Sequence, residues 1–551
     1  MPAATQIPAP AGRPETKGAD RAGLWLAGVL LASPWLYRIE WDTTHVFALA
    51  LVPALVAGRA LIARGMAEIF ATGWHVVLPL GVFAFAVVAG TARSSHAPAS
   101  LVMASSWLLI ALSGVLARQI AVEDPVGARR LLMAIAAGGA LGTIAHWVCW
   151  RAGGNLEHAF YVHHRLMGLH ALSSALASLA LVLQTWEGRR AVHRAWLGIG
   201  IVAWGGLLWT GSRSPLVGIA VGLAVWVLAT RRPERPRLLL GAAVLGGGGL
   251  LLSLCFWSPA PGIGWWHIWA RTAQTTSATA LTSNRSSFWA DALQHVPSAP
   301  WFGHGPDAYG FLRPPLEGAQ PHNLVLQLLL DVGVIGAVAA GSLIIIIMAR
   351  NWSSRHSAAG YPVSWLALAA GSLASAQLDG YFFYPLALLP GVVALGACSA
   401  AVRPVAPPAQ PGGWRHVLAH GWLPCAAAAT VVLGFHCWLF QRVVHGTPPA
   451  SPQAAVVRAW RAFPSVTYNV DFWIDAWADK FPDDALAVSR RAAQHAQSPA
   501  FFRAKTAGLL VRRGQYQEAA SELELARAEA PPNERAAIDA LLRSARAKAA
   551  R

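Results

Sequence analysis

Four polar residues have the types and spacing for chemistry on an anionic substrate. Arg165 lies in His-His-Arg-Leu-Met-Gly, Arg213 in Thr-Gly-Ser-Arg-Ser-Pro, Arg285 in Ser-Asn-Arg-Ser-Ser-Phe-Trp, and His322 in Pro-His-Asn-Leu. A guanidinium stays ionised, and its planar fork of N–H donors matches phosphate oxygens. An imidazole is able to accept a proton near neutral pH. The set suggests a site that binds phosphate and activates a hydroxyl group.

The elements that must position these residues are membrane helices. The chain has 551 residues, of which 55% are hydrophobic and 13% are charged, whereas soluble domains average about 25% charged residues. Its apolar runs are near-continuous stretches of Ala, Leu, Val and Gly. They are close to the roughly 20 residues that a membrane-spanning helix needs. The predicted fold class is therefore an all-α, polytopic membrane protein.

The runs predict thirteen spans, with a polar tail at each end of the chain. Residues 1–22 are rich in Pro, Ala and Gly and are predicted to be a disordered cytoplasmic N-terminus. Residues 23–441 form the predicted membrane domain, which includes a long loop over 258–322. The spans are approximately 24–39, 45–62, 74–91, 101–117, 131–150, 166–184, 195–210, 214–230, 238–257, 323–349, 363–379, 385–402 and 417–440.

The distribution of basic residues gives the spans a predicted orientation. With the N-terminus in the cytoplasm, the N-terminus and the inside loops hold 19 Lys and Arg residues, and the outside loops, without the C-terminal tail, hold 8. Such a bias is typical of the positive-inside rule. It also explains the net charge of +17 without a nucleic-acid partner, because the arginines are spread between the spans. The long loop and the C-terminal tail are therefore predicted to lie outside.

This orientation puts all four polar residues at the outer face. A single arginine at a span end often only extends its guanidinium to the lipid headgroups, and a lone histidine at a helix start is often structural. Three arginines on the side where arginine is depleted instead suggest one anionic ligand. Asn323, beside His322, strengthens the interpretation of that histidine as a general base.

The long loop also contains residues that are predicted to support the site. Trp289 follows Arg285 by one helical turn, and its ring offers a flat apolar face to a sugar. Gly303 and Gly305 lie in Ala-Pro-Trp-Phe-Gly-His-Gly and allow a tight turn. The sequence has no Walker loop, no dinucleotide-binding turn and no zinc spacing, so no cofactor is expected. A metal site at His163, His164 and His170 is disfavoured, because Glu157 is the only nearby carboxylate.

The tail, residues 452–551, is charged, rich in Ala and periodic at helical spacing. From Arg503 onward it resembles a tetratricopeptide repeat, with the small and aromatic positions of that motif at Gly514, Tyr516, Ala519, Leu523, Ala526 and Pro531. Ala485 and Ala492 indicate a degenerate earlier copy, and a helix near Trp460 or Trp473 would complete the stack. The alternative is a plain helical hairpin bundle.

The ordered set of motifs resembles the O-antigen ligase family, which includes O-antigen ligases, polysaccharide polymerases and protein O-oligosaccharyltransferases. The resemblance covers about Arg165 to Gly336. Its pieces are Arg165-x-x-Gly168, Gly211-Ser212-Arg213, Arg285-x3-Trp289, Pro300-x-x-Gly303-x-Gly305, His322-Asn323 and Asp331-x-Gly333-x-x-Gly336. Two departures are Asp331, where the family more often has Glu, and Ser214-Pro215, where a small pair such as Gly-Ala is common.

The resemblance implies a GT-C-type, metal-independent, inverting glycosyltransferase of the bacterial inner membrane, with a periplasmic active site. The donor would be a glycan on undecaprenyl diphosphate, and the acceptor a lipid A–core, a growing polysaccharide or a protein. By the same resemblance, Arg165, Arg213 and Arg285 would bind the diphosphate, with Arg285 also catalytic, and His322 would be the base. The periplasmic tail would recruit a protein partner or present the acceptor.

Two other classes of protein remain as alternatives. A flippase or transporter predicts polar residues at mid-span and helices broken by Gly or Pro, whereas the spans here are polar mainly at their outer ends. A signalling or scaffold protein that acts through its tail leaves the arginine set unexplained.

Overall fold

The protein is all-α in a computed structural model, which describes residues 17–36, 44–71, 74–94, 97–152, 164–257, 263–268, 285–312, 321–354, 362–379, 385–400, 420–444, 478, 482–495, 499–530 and 532–550. Lipid offers no hydrogen-bond partners to backbone N–H and C=O groups. The apolar runs therefore form helices, in which these groups bond to one another. The predictions for residues 1–16, His163, Glu157, Trp460, Trp473 and Pro531 lie outside the described residues.

The helices of the membrane region follow the predicted spans. They are α1 (Lys17–Leu36), α2 (Thr44–Ala50), α3 (Val52–Ala57), α4 (Arg59–Ala71), α5 (Trp74–Arg93), α6 (Ala97–Glu123), α7 (Pro125–Arg151), α8 (His164–Gln184), α9 (Arg190–Trp209), α10 (Arg213–Ala229), α11 (Arg235–Cys255), α12 (Arg285–His295), α13 (Tyr309–Leu312), α14 (Leu324–Ser354), α15 (Pro362–Ala376), α16 (Pro385–Ser399) and α17 (Trp422–Val444).

Within the described residues, seven helices are long and apolar enough to cross a membrane, or eight if a bent pair is one span. That pair, Ala48–Ala57 and Arg59–Ala71, bends by 88° where a single span was predicted over 45–62. Shorter apolar helices are Arg213–Ala229, Val363–Ala376, Ala387–Ser399 and Trp422–Trp438. The all-α, polytopic prediction is confirmed, and the number of thirteen crossings stays a prediction.

Close contacts at glycines hold together α10 and α15, the two helices that position the site. A Cβ on Gly218 of α10 would lie 2.7 Å from the carbonyl oxygen of Gly371 on α15, and a Cβ on Gly222 would lie 2.9 Å from that of Ala367. From one contact to the next, the residue number rises along α10 and falls along α15, so the two helices are antiparallel. Small residues let membrane helices approach this closely. The start of α10 is therefore held beside the end of α15.

Four further helices at the C-terminus have a hydrophobic core of their own. They are α18 (Pro482–His495), α19 (Pro499–Arg512), α20 (Tyr516–Glu529) and α21 (Pro532–Ala549), and each packs against the next. Ala485, Ala519, Leu523 and Ala526 are buried, and Gly514 has a φ of +74° between α19 and α20. The four helices pack as expected within residues 482–549, whereas the domain bounds of 452–551 and the tetratricopeptide assignment stay predictions.

Candidate active site

A buried carboxylate, Asp379, lies at the centre of the polar cluster. Its Oδ2 accepts a hydrogen bond from the Ser214 hydroxyl at 2.7 Å and lies 3.7 Å from Nη2 of Arg285. Its Oδ1 lies 3.3 Å from Nδ1 of His322. The Asp379 side chain is only 6% exposed. One carboxylate thus brings together α10, α12 and the segment before α14.

The close packing of α10 on α15 positions this carboxylate. Ser214 is the second residue of α10, and Asp379 lies three residues after the end of α15. Because Gly218 is opposite Gly371, continuing the antiparallel register by one turn brings Ser214 level with Ser375, one turn before Asp379. The hydroxyl of Ser214 is buried there and anchors the carboxylate to α10.

Asp379, in the turn beyond α15, is ionised in this setting. Burial by itself would raise the pKa of its carboxyl group, because a charged carboxylate is poorly solvated in a protein interior. Contacts with His322, Arg285 and Ser214 outweigh burial and hold the pKa well below its ordinary value. The cluster is therefore built around a fixed negative charge between a guanidinium and an imidazole.

His322 is held in an uncommon backbone conformation. Its φ is +52°, in the left-handed region that His, Asn and Asp adopt more readily than most residues. The next residue, Asn323, accepts the N–H of Leu326 with its side-chain oxygen and donates to the Gln377 carbonyl oxygen at 3.1 Å. Asn323 thereby caps α14 and ties it to the turn after α15. This explains why a His-Asn pair is suited to the position.

The His322 ring is oriented by two neighbours. Nδ1 faces the Asp379 carboxylate, and the ring of Phe288 lies 5.9 Å away between centroids. A carboxylate at Nδ1 favours the tautomer with its proton there. In that tautomer, Nε2 carries the lone pair and is the nitrogen that accepts a proton.

Arg285 begins α12 in the long loop, and its side chain is 12% exposed. The helix is fixed by Tyr309, whose hydroxyl donates to Asp291 Oδ2 at 2.9 Å and whose ring is fully buried. Trp289 lies one turn after Arg285 on α12 and is partly buried. Arg285 and Trp289, which were both predicted as site residues of the long loop, therefore lie on one helix. Arg285 and His322 contact the same carboxylate, that of Asp379.

The other two predicted arginines are at the same end of the bundle. Arg213 is the first residue of α10, is partly buried and directly precedes Ser214. A Cβ on Gly168 of α8 would lie 3.1 Å from Oγ1 of Thr210 and 3.0 Å from Pro215. The Arg165-x-x-Gly168 motif therefore packs on the link that carries Arg213. The backbone of Arg165 is at the start of α8, and its side chain lies outside the described part of the structure.

The predicted glycine loop packs on a break in α14. Gly333 has a φ of +68° and a ψ of −175° inside that helix. The break redirects the N–H of Val334 to the carbonyl oxygen of Pro300 at 2.8 Å. It leaves the carbonyl groups of Leu330 and Asp331 without their usual helical donors.

The loop supplies the missing donors. The N–H of His304 donates to Leu330 at 2.6 Å, and the N–H of Gly305 donates to Asp331 at 3.1 Å. Gly303 and Gly305 have φ values of +68° and +99°, and a Cβ on Gly303 would lie 2.5 Å from the backbone of Asp331. These glycines are thus scaffold residues that fix the loop after α12.

Two members of the cluster, Asp379 and Ser214, were not among the site residues predicted from the sequence. Asp379 was overlooked, although an acidic residue that ends an apolar run is rare in this chain and was a usable signal. Ser214 was noted only as a departure from a small-residue pair. Among the described residues, no three His, Cys, Asp or Glu side chains group as a metal site.

These features define a helical, polytopic membrane protein with a charged site at one end of its bundle. Residues 198–341 match the O-antigen ligase family. The chain is 32% identical over 237 residues to an O-antigen ligase of Pseudomonas aeruginosa, which is 40% of this chain and 52% of that protein. The chain thus matches about half the length of that curated relative. These matches confirm the resemblance to the O-antigen ligase family over part of the membrane region.

The matched stretch contains Arg213, Arg285 and His322. Arg165 precedes it and Asp379 follows it. The carboxylate that joins the cluster is therefore outside the family match and was found through the structure.

Proposed function

We propose that this protein transfers a glycan from undecaprenyl diphosphate to an acceptor hydroxyl at the periplasmic face of the bacterial inner membrane. The observation that carries the proposal is the Asp379 bridge, which sets an imidazole and a guanidinium side by side at the end of the bundle. The similarity of residues 198–341 to the O-antigen ligase family supports a glycan as the transferred group.

The proposed reaction is a single displacement at the anomeric carbon. Nε2 of His322 accepts the acceptor's hydroxyl proton as the new C–O bond forms. The bond from the anomeric carbon to the phosphate oxygen breaks, and undecaprenyl diphosphate leaves with the electron pair. Attack opposite the leaving group inverts the anomeric configuration.

Arg165, Arg213 and Arg285 are proposed to hold the leaving diphosphate. Fixed cations stabilise negative charge as it develops, a role that is worth more in a site shielded from water. In this proposal they replace a metal ion. Asp379 is a positioning residue, which orients His322 and holds Arg285 before the diphosphate arrives.

A deletion strain tests the proposal. We expect loss of its polymeric or ligated glycan, restored by the wild-type chain but not by His322→Ala or Arg285→Ala. Full rescue by both variants contradicts the mechanism. Long glycans left on the lipid carrier indicate a ligase, a carrier with a single repeat unit indicates a polymerase, and a glycoprotein that disappears indicates a protein transferase. A carrier-linked glycan confined to the cytoplasmic side indicates a flippase instead.

Replacement of Asp379 by asparagine tests its positioning role. We expect the turnover number to fall by about 100-fold, because small misplacements of reacting groups have effects of that size. Glu187→Gln is the matched control, because Glu187 is an exposed carboxylate at the other end of α8. A variant with wild-type turnover would show that the bridge is only structural.

The charge of Asp379 should not change between about pH 5 and about pH 9. A carboxyl pKa that is depressed on folding contributes stability fully above the unfolded value of about 3.9 and loses it only as pH falls through the lower folded value. Asp379 is therefore charged throughout the range from about pH 5 to about pH 9. The infrared difference spectrum of wild type and Asp379→Asn should contain no band of a protonated carboxyl group anywhere in that range, and such a band would contradict an ionised Asp379.

The orientation and the tail complete the proposal. The basic residues favour a cytoplasmic N-terminus and a periplasmic domain over 452–551, which would dock an assembly protein or present the acceptor. Reporter fusions after Gly412 and after Thr447 should give signals from opposite sides of the membrane. Signals from the same side would mean that the last predicted span does not cross.

A further inference from the structure

An apolar groove opens at the same end of the bundle as the site, but between different helices. It lies between α7, α9 and α11 and has a volume of about 350 Å³, within the usual range for small-molecule sites. Its apolar wall consists of Ile144, Trp147, Val148, Val202, Leu252 and Phe256. The polar cluster is built on α10, α12 and the turn after α15, so the groove is a separate feature.

Among the described residues that line this groove, Arg151 is the charged one. It is the last residue of α7, and its Nη2 donates to the carbonyl oxygen of Cys255 at 2.9 Å. Its guanidinium carbon lies 5.1 Å from the ring centre of Trp150 and 5.8 Å from that of Phe256. The guanidinium is therefore held at the mouth of the groove, where the residue is exposed.

The groove has a rigid aromatic floor and an open outer side. Trp147 and Phe256 stack with their ring centres 4.2 Å apart, and Nε1 of Trp209 donates to the Phe256 carbonyl oxygen at 2.7 Å. Val148 is 61% exposed on the outer side. In a membrane-spanning helix this surface faces hydrocarbon. An apolar chain is able to enter sideways from the bilayer.

We propose that the groove binds one acyl chain of an anionic phospholipid whose phosphate pairs with Arg151. A guanidinium is well suited to phosphate oxygens, and a cation at the mouth of an apolar groove complements a molecule with an anionic head and an apolar chain. The lipid donor is the less fitting occupant, because its diphosphate is assigned to the separate cluster around Asp379. The choice of a phospholipid over the lipid donor rests on the proposed function, whereas the groove and its arginine do not.

The test is native mass spectrometry of the detergent-purified full chain with phosphatidylglycerol and phosphatidylcholine of matched chain length. We expect the wild type to retain phosphatidylglycerol about fivefold more, the effect of one arginine near an anionic lipid. Arg151→Ala should remove the preference, and Arg151→Lys should keep most of it. Arg93→Ala, at an exposed helix end away from the groove, should behave as wild type.

A groove-filling variant tests the apolar part independently. Val148→Trp should reduce the retention of both lipids, whereas Leu254→Trp, on an exposed face of α11 outside the lining, should not. Equal retention of the two lipids by the wild type would overturn the proposal. So would an undiminished preference in Arg151→Ala. Displacement of phosphatidylglycerol by undecaprenyl diphosphate in wild type, but not in Arg151→Ala, would assign the groove to the donor and also overturn it.

Discussion

Replacing His322 by asparagine is expected to lower the rate of glycan transfer by about 10²- to 10⁴-fold, the usual contribution of a general base. Asparagine is a sharper test than alanine because it tolerates the left-handed backbone at this position, where φ is +52°. It also keeps a polar side chain near Asp379, but it cannot accept the hydroxyl proton. The protein should therefore fold, bind the donor and fail at the chemical step.

The assay is the initial rate of transfer at saturating donor, combined with donor binding by the inactive variant. His295→Asn is the matched control, because His295 lies in the same loop region at the end of α12 and is not part of the cluster. We expect its rate to be close to wild type. A His322→Asn variant that keeps more than a tenth of the wild-type rate would remove His322 from the role of base.

Replacing Gly333 by alanine is expected to give the largest loss of stability among single changes near the site. A residue with φ +68° and ψ −175° is in a region that is essentially restricted to glycine, at a strain of about 1–3 kcal/mol for other residues. A Cβ would also overlap the backbone of Trp301 and Phe302. Backbone atoms cannot move aside as a flexible side chain does, so the loop must separate from α14.

Gly341→Ala is the matched control for this prediction. Gly341 lies in the same helix, and a Cβ added there would meet nothing within 4 Å among the described residues. Alanine should therefore be neutral or stabilise the helix by up to about 1 kcal/mol. Thermal unfolding of both variants in detergent measures the difference. Equal melting temperatures would contradict the close packing of the loop on the break in α14.

The helices were predictable from the sequence because membrane-spanning runs follow from hydrophobicity alone. Each of the thirteen predicted spans has a helical counterpart, with ends that differ by up to seven residues outside the bent span. The exception in shape is the span over 45–62, where α2 and α3 meet α4 at a sharp bend near Gly58. Hydropathy does not distinguish a straight span from a bent one, since both are equally apolar.

The site was predictable only in part. Arg285 and His322 were identified by residue type and by their places in and at the end of the long outer loop, and the structure brings them to one carboxylate. Asp379 was missed because the contact depends on long-range packing of α10 on α15, which no local pattern encodes. The roles of Gly303 and Gly305 were likewise predicted only in part. Their turn was expected, but their backbone contact with the break in α14 was not.

The most direct test of the central claim is a reconstituted reaction with the purified full chain, an undecaprenyl-diphosphate-linked glycan and candidate acceptors. We expect free undecaprenyl diphosphate and the glycosylated acceptor to appear in equal amounts. Both products should be lost in Arg285→Ala and His322→Asn. Product formation by these two variants at the wild-type rate would contradict a transfer that depends on Arg285 and His322.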